Sequence, residues 1–122
     1  MSARKVISIL LVDSDETLQG LRSLMLRLRG YQVDRVSSLA DAALRAAQER
    51  YDMVIIDVRE HPDAGLELCE RLKATSPGLK VAFLADHTLY LPPQTCPDQL
   101  IARQDGPEHF LRQVDELLGA SA

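Results

Sequence analysis

The chain has 122 residues, 46% apolar and 26% charged, and a net charge of −4 with no basic block. Those proportions exclude a disordered chain and leave no electrostatic footprint for a primary nucleic-acid binder. The length suits a single domain over residues 1–122; no apolar run nears the roughly 18 residues of a membrane span, and the opening MSARK has no signal-peptide core, so a cytoplasmic location is expected.

In chain order, VISILLV (6–12) is a continuous apolar run rich in β-branched residues, which predicts a strand buried on both faces. After DSDET, Leu18, Leu21, Met25 and Leu28 recur at helical spacing, and Gly30 suits the residue just past the helix end. YQVDRV reads as a short alternating strand, and Ser38 with Asp41 as a capping box for ADAALRAAQER. MVII (53–56) is a second fully buried strand; GLELCERLKAT, with Gly65 near its start, is a helix closed by SPG; KVAFLA (80–85) is the next strand. Cys69 and Cys96 form no C-x-x-C pair, and Cys69, on a helical face with Leu66 and Leu72, reads as a packing residue.

The β-α alternation implies right-handed crossovers and a parallel sheet covered by helices on both faces. It breaks at DHTLYLPPQTCPD, where Pro92 and Pro93 exclude a regular helix across the middle, so a loop with one short turn at DHTLY is expected. QLIAR reads as a fifth strand, Pro107 suits the first turn of PEHFLRQVDELL, and 119–122 is a tail.

Two strands run straight into acids, ILLV into Asp13 and MVII into Asp57. A free carboxylate is not tolerated inside a buried strand, so both acids should stand where strand ends and solvent begins. In open parallel sheets that rim is where ligands bind, at the point where the winding reverses. If the first and third strands are neighbours, the two carboxylates meet; about 5 Å apart at an effective dielectric near 20, they would repel by about 3 kcal/mol. A divalent cation would relieve that repulsion.

On Asp13 after ILLV, Asp57 after MVII and Gly65 eight positions past Asp57, the chain resembles the receiver domains of bacterial response regulators over nearly its whole length. The resemblance implies a three-layer (α/β)5 fold, flavodoxin-like and CheY-like, with a parallel five-stranded sheet in the order 2-1-3-4-5 and the fourth helix shortened or replaced by the proline-containing loop. It implies a signalling domain of a two-component or phosphorelay system rather than a classical enzyme, with self-catalysed phosphoryl transfer to Asp57 as its only chemistry. Asp57 would take the group from a histidine kinase or phosphotransfer protein. Mg2+ would be held by Asp13, Asp57 and the Arg59 backbone carbonyl, with Asp15 a further candidate if its loop re-aims it, and Arg103 would touch the phosphoryl group. Output would pass through protein contacts to a downstream target or a fused output domain, with no nucleic acid and no membrane bound by this domain.

The departures from the family pattern cluster at the site. Ser14 stands where a second acid is usual, so Mg2+ binding is expected to be weak or absent. Ala85 replaces the hydroxyl residue ending the fourth strand, removing a charge-assisted contact worth about 1.5–3 kcal/mol. Arg103 replaces a lysine, Gln104 the proline after it, and Leu100 the aromatic switch residue. An alternative is therefore a pseudo-receiver, a phosphorylation-independent interaction module on the same scaffold. Two readings from other classes are a flavin-binding protein, disfavoured by the acidic DSDE loop, and a transition-metal site of His61, His87, Asp57 and Cys96, disfavoured by the spacing. Arg59 could also reach Asp57 or Asp13 and stand in for the cation.

Overall fold

Buried β-branched runs alternate with amphipathic segments along the chain. In a computed structural model that describes residues 6–86 and 96–119, they become five strands and four helices among the described residues. In order these are β1 (Ser8–Val12), α1 (Glu16–Leu28), β2 (Gln32–Val36), α2 (Leu39–Gln48), β3 (Met53–Asp57), α3 (Pro62–Thr75), β4 (Lys80–Ala85), β5 (Gln99–Ala102), a 3-10 turn (Arg103–Asp105) and α4 (Gly106–Leu117). Every strand pair is parallel and the order is β2-β1-β3-β4-β5, the expected fold class.

Strand periodicity divides the core in two. Leu10, Val12, Val54, Ile56 and Phe83 face α2 and α3, while Ile9, Leu11, Ile55 and Leu84 face α1 and α4. Both faces are covered, which is why β1, β3 and β4 read as continuous apolar runs. The capping signals also hold: Ser38 Oγ accepts the Asp41 N–H at 3.1 Å, and Gly30, at φ 93°, ends α1.

Some expectations are corrected. β1 begins at Ser8, and Val6 is exposed. The leucine stripe of α1 is not its buried face: Leu21 and Leu28 are exposed, whereas Gln19, Ser23 and Leu26 point inward. Gln19 is inside because its amide Nε2 donates to the Leu11 carbonyl at 3.2 Å and the Val36 carbonyl at 2.7 Å, satisfying acceptors at the ends of β1 and β2. α3 begins at Pro62, ahead of the expected GLELCERLKAT, because proline suits a helix's first turn. β5 stops at Ala102, and Arg103 opens the 3-10 turn instead of closing the strand. The expected loop spans 86–98, and its ends, Asp86 and 96–98, lie in no helix or strand; its middle, with the turn at DHTLY and the altered fourth helix, falls on 87–95, outside the described residues.

Cys69 is buried as expected, but it is also disulfide-bonded to Cys96, with Cα atoms 6.2 Å apart and a sequence separation of 27. Beside that link, the Asp98 carboxylate accepts from Lys73 Nζ at 2.8 Å and from the Val81 N–H at 2.8 Å, tying α3 and β4 to the start of β5.

Gly65 is fixed by a close approach. A Cβ there would lie 2.5 Å from Val58 Cγ1, in the segment leading from β3 to Arg59. Gly65→Ala should therefore destabilise by about 1–3 kcal/mol, overpacking outweighing the helix preference for alanine of about 1 kcal/mol. Urea unfolding checks this: the midpoint should fall, and an unchanged midpoint would refute the contact.

Candidate functional site

The register Val12↔Ile56 brings the next residues of β1 and β3, Asp13 and Asp57, out side by side at the carboxyl rim of the sheet. Their side chains are only 1% and 4% exposed, so the chain has placed two carboxylates in a confined cleft. Asp13 Oδ1 accepts the Asp15 N–H at 2.9 Å, and Asp57 Oδ1 accepts the Arg59 N–H at 3.0 Å and its Nε–H at 3.4 Å. A cavity of about 300 Å3 opens beside them, lined by Ser14, Arg59, Glu60 and His61 among others. A larger one of about 730 Å3 lies at the other end of the sheet, between α2 and α3, away from these acids.

Three guanidinium groups answer the repulsion between the acids. Arg22 Nη1 lies 2.7 Å from Asp13 Oδ2 and 3.8 Å from Asp57 Oδ2. Arg59 lies 3.4 Å from Asp57 and 3.9 Å from Asp13, so its expected approach to both acids is found. Arg103 Nε lies 3.3 Å from Asp57 Oδ2 and its Nη1 3.8 Å from Asp86. Burial raises the Asp13 carboxyl above the usual carboxylate range; the Asp57 charge pushes the same way, while the Asp15 N–H, Arg22 and Arg59 oppose it. Burial likewise lowers Arg22, against the pull of Asp13 and Asp57. Two atoms form no hydrogen bond: Asp57 Oδ2 and Arg103 Nε are buried and face each other as an ion pair at 3.3 Å.

The other predicted positions are accounted for individually. Asp15 caps α1, its Oδ1 accepting the Leu18 N–H at 3.0 Å, and its charge also acts on Arg59. Ser14 is exposed, Ala85 is buried at the end of β4, and Leu100 is 40% exposed on β5. Gln104 donates to Asp86 at 3.1 Å. In the transition-metal alternative, Cys96 is held by Cys69 and His87 lies outside the described residues. The flavin alternative needs free backbone N–H groups after β1, and two of them are taken by the Asp13 and Asp15 carboxylates.

Sequence reasoning missed Arg22. Its signal was present: it lies three residues past Gln19 and four before Leu26, on the same inward face, but the Leu21–Leu28 stripe set the helix in the wrong phase.

Mg2+ takes oxygen ligands near 2.0–2.1 Å in octahedral geometry. Among the described residues no three His, Cys, Asp or Glu side chains converge as a metal site. Both Asp13 oxygens and Asp57 Oδ1 already accept protein hydrogen bonds.

Residues 9–90 match the family model of the response regulator receiver domain. The transcriptional regulatory protein GlrR of Escherichia coli (strain K12) is 32% identical over 115 residues, 93% of this chain and 24% of that protein, so the chain spans about a quarter of that relative's length. The response regulator TrrA of Thermotoga maritima, in complex with Mg2+-BeF, matches with a TM-score of 0.81 at 21% identity, covering 92% of this chain and 99% of that one. The complex of the histidine kinase ThkA with TrrA contributes a chain with a TM-score of 0.79 at 23% identity, covering 93% and 99%. At those identities the structural likeness establishes the fold.

Proposed function

The chain belongs to the response regulator receiver family, and from that premise we propose that Asp57 accepts a phosphoryl group from a histidine kinase or phosphotransfer protein. The observation that carries this reading is the ion pair at the cleft: Asp57 Oδ2 accepts no hydrogen bond, and Arg103 Nε, 3.3 Å away, donates none. A buried polar group normally makes a hydrogen bond, so hydrogen-bonding capacity left unused on both sides of an ion pair at a cleft is available to an arriving phosphoryl group.

In the step proposed, Asp57 Oδ2 attacks the phosphorus of a phosphohistidine. The new O–P bond forms as the P–N bond breaks, and the imidazole nitrogen leaves with the bonding pair and takes up a proton. Phosphoryl transfer is governed by positioning and by charge stabilisation, and Arg103 and Arg59 stand where they can meet the transferred oxygens. Mg2+ supplies charge neutralisation in receiver domains generally; here it is weakly bound or absent, because Ser14 is not an acid and Asp13 is engaged by Arg22. The metal-ligand roles of Asp13, Asp57, Asp15 and the Arg59 carbonyl are correspondingly reduced. The domain passes its signal to a downstream protein or a fused output domain by protein contacts in the cytoplasm. No described helix is long and apolar enough to cross a membrane.

A second reading, the phosphorylation-independent interaction module, is favoured by Ala85, which offers no hydroxyl to a phosphoryl group, and by a cleft already neutralised by arginine. One experiment separates the two. Incubation with phosphoramidate or acetyl phosphate, in Mg2+ and in parallel with chelator, is followed by intact mass. A phosphoryl adduct that is lost in Asp57→Asn is expected; no adduct in either condition would transfer the assignment to the second reading.

A further inference from the structure

We propose that Arg22 is a built-in counter-ion that takes the place of a divalent cation between Asp13 and Asp57, making the cleft metal-independent. Its Nη1 lies within 4 Å of one oxygen on each carboxylate, 2.7 Å from Asp13 Oδ2 and 3.8 Å from Asp57 Oδ2, as a bridging cation would. The group is held there by the fold. α1 is anchored by Gln19 to the ends of β1 and β2 and by the buried Ser23 and Leu26, and the Arg22 side chain between these anchors is only 12% exposed.

Charge points the same way. The two carboxylates of the cleft are met by three guanidinium groups, Arg22, Arg59 and Arg103, so neutralisation is complete without a metal. A dication entering this space would have to displace Arg22 from Asp13 Oδ2. It would then face the charges of Arg59 and Arg103 at close range, with the neutral, exposed Ser14 standing next to Asp13 where a second acid would help hold it. Mg2+ also sheds water reluctantly, and Asp57 Oδ2, the one carboxylate oxygen here that accepts no hydrogen bond, is already ion-paired with Arg103 and Arg22.

The inference deepens the receiver reading and rests on it for the identity of the cleft, yet its test needs no phosphoryl donor. Mn2+ and Mg2+ are titrated into the wild-type chain, Arg22→Gln, Arg22→Met and Arg22→Lys. Binding is followed by Mn2+ relaxation enhancement and by amide shifts of Asp13, Asp15 and Arg59, with circular dichroism confirming the fold. The two neutral variants should bind tighter than wild type, on the order of tenfold or more, equivalent to about 1.4 kcal/mol. Arg22→Lys, which keeps the charge, should stay close to wild type. Equal affinity in wild type and a folded neutral variant would overturn the proposal, as would sub-millimolar binding by wild type itself. Recovery in the lysine variant as large as in the neutral ones would show that charge is not the excluding factor. Failure of Asp57 to accept phosphate leaves each of these results readable, so the two readings fail separately.

Discussion

Arg103→Ala should slow phosphoryl transfer to Asp57 by about 10²–10³-fold, the usual loss when one preorganised donor is removed from developing oxyanion charge. In the resting chain Arg103 Nε faces Asp57 Oδ2 at 3.3 Å as an ion pair that does not form a hydrogen bond, so the variant gives up part of the charge that neutralises Asp57 but no hydrogen bond to it. Its contribution comes when Oδ2 carries a phosphoryl group whose oxygens can accept from the guanidinium fork, an interaction absent before transfer. Arg103→Lys should retain part of the rate, because the charge remains while the planar two-donor geometry does not. Adduct formation against time at fixed phosphoramidate measures both. A rate unchanged in Arg103→Ala would remove Arg103 from the site's chemistry, and thermal melting of the variant shows whether the scaffold is intact.

The largest stability effect is expected from Phe83→Ala. Phe83 is fully buried at the middle of β4, in register with Ile56 on β3 and Leu100 on β5, and packs in the layer shared with α2 and α3. Truncation removes a ring from a layer whose strands are locked on both sides, leaving a cavity that cannot collapse; about 3–5 kcal/mol is expected. Whole domains are stable by only about 5–15 kcal/mol, so the variant should be marginal. Urea unfolding should show a much lower midpoint with an unchanged slope; a loss under about 1 kcal/mol would mean that the layer repacks around the gap.

Much of the scaffold was legible because its signals are forced. β1, β3 and β4 are covered on both faces, which leaves no polar positions to blur the pattern, and Asp13 and Asp57 mark strand ends because an ionised group cannot remain inside the sheet. Helix α1 was legible as a helix and misleading in its phase. Its inward face carries Gln19 and Ser23, polar residues with local hydrogen-bonding or close-packing duties, while leucines stand in solvent. Apolar periodicity therefore pointed outward, and Arg22 was hidden with the face that bears it. Arg59 was found by adjacency to Asp57 and Arg103 by the family pattern; Arg22, nine positions from Asp13, had neither cue. The partnership of Cys69 with Cys96 was equally silent, since a sequence separation of 27 forms no motif and only the fold brings α3 against the approach to β5.

That sulfur bridge ties chain endurance to the surrounding thiol potential. It closes a circuit of 27 positions that contains all of β4, and chain-entropy arithmetic for a ring of that size removes about 3.5 kcal/mol of freedom from the unfolded ensemble. A glutathione-rich compartment that opens the bridge would return that freedom without touching the arginine-lined cleft. The same polypeptide thus has two resistances to unfolding, one for each oxidation state of a single pair of sulfur atoms.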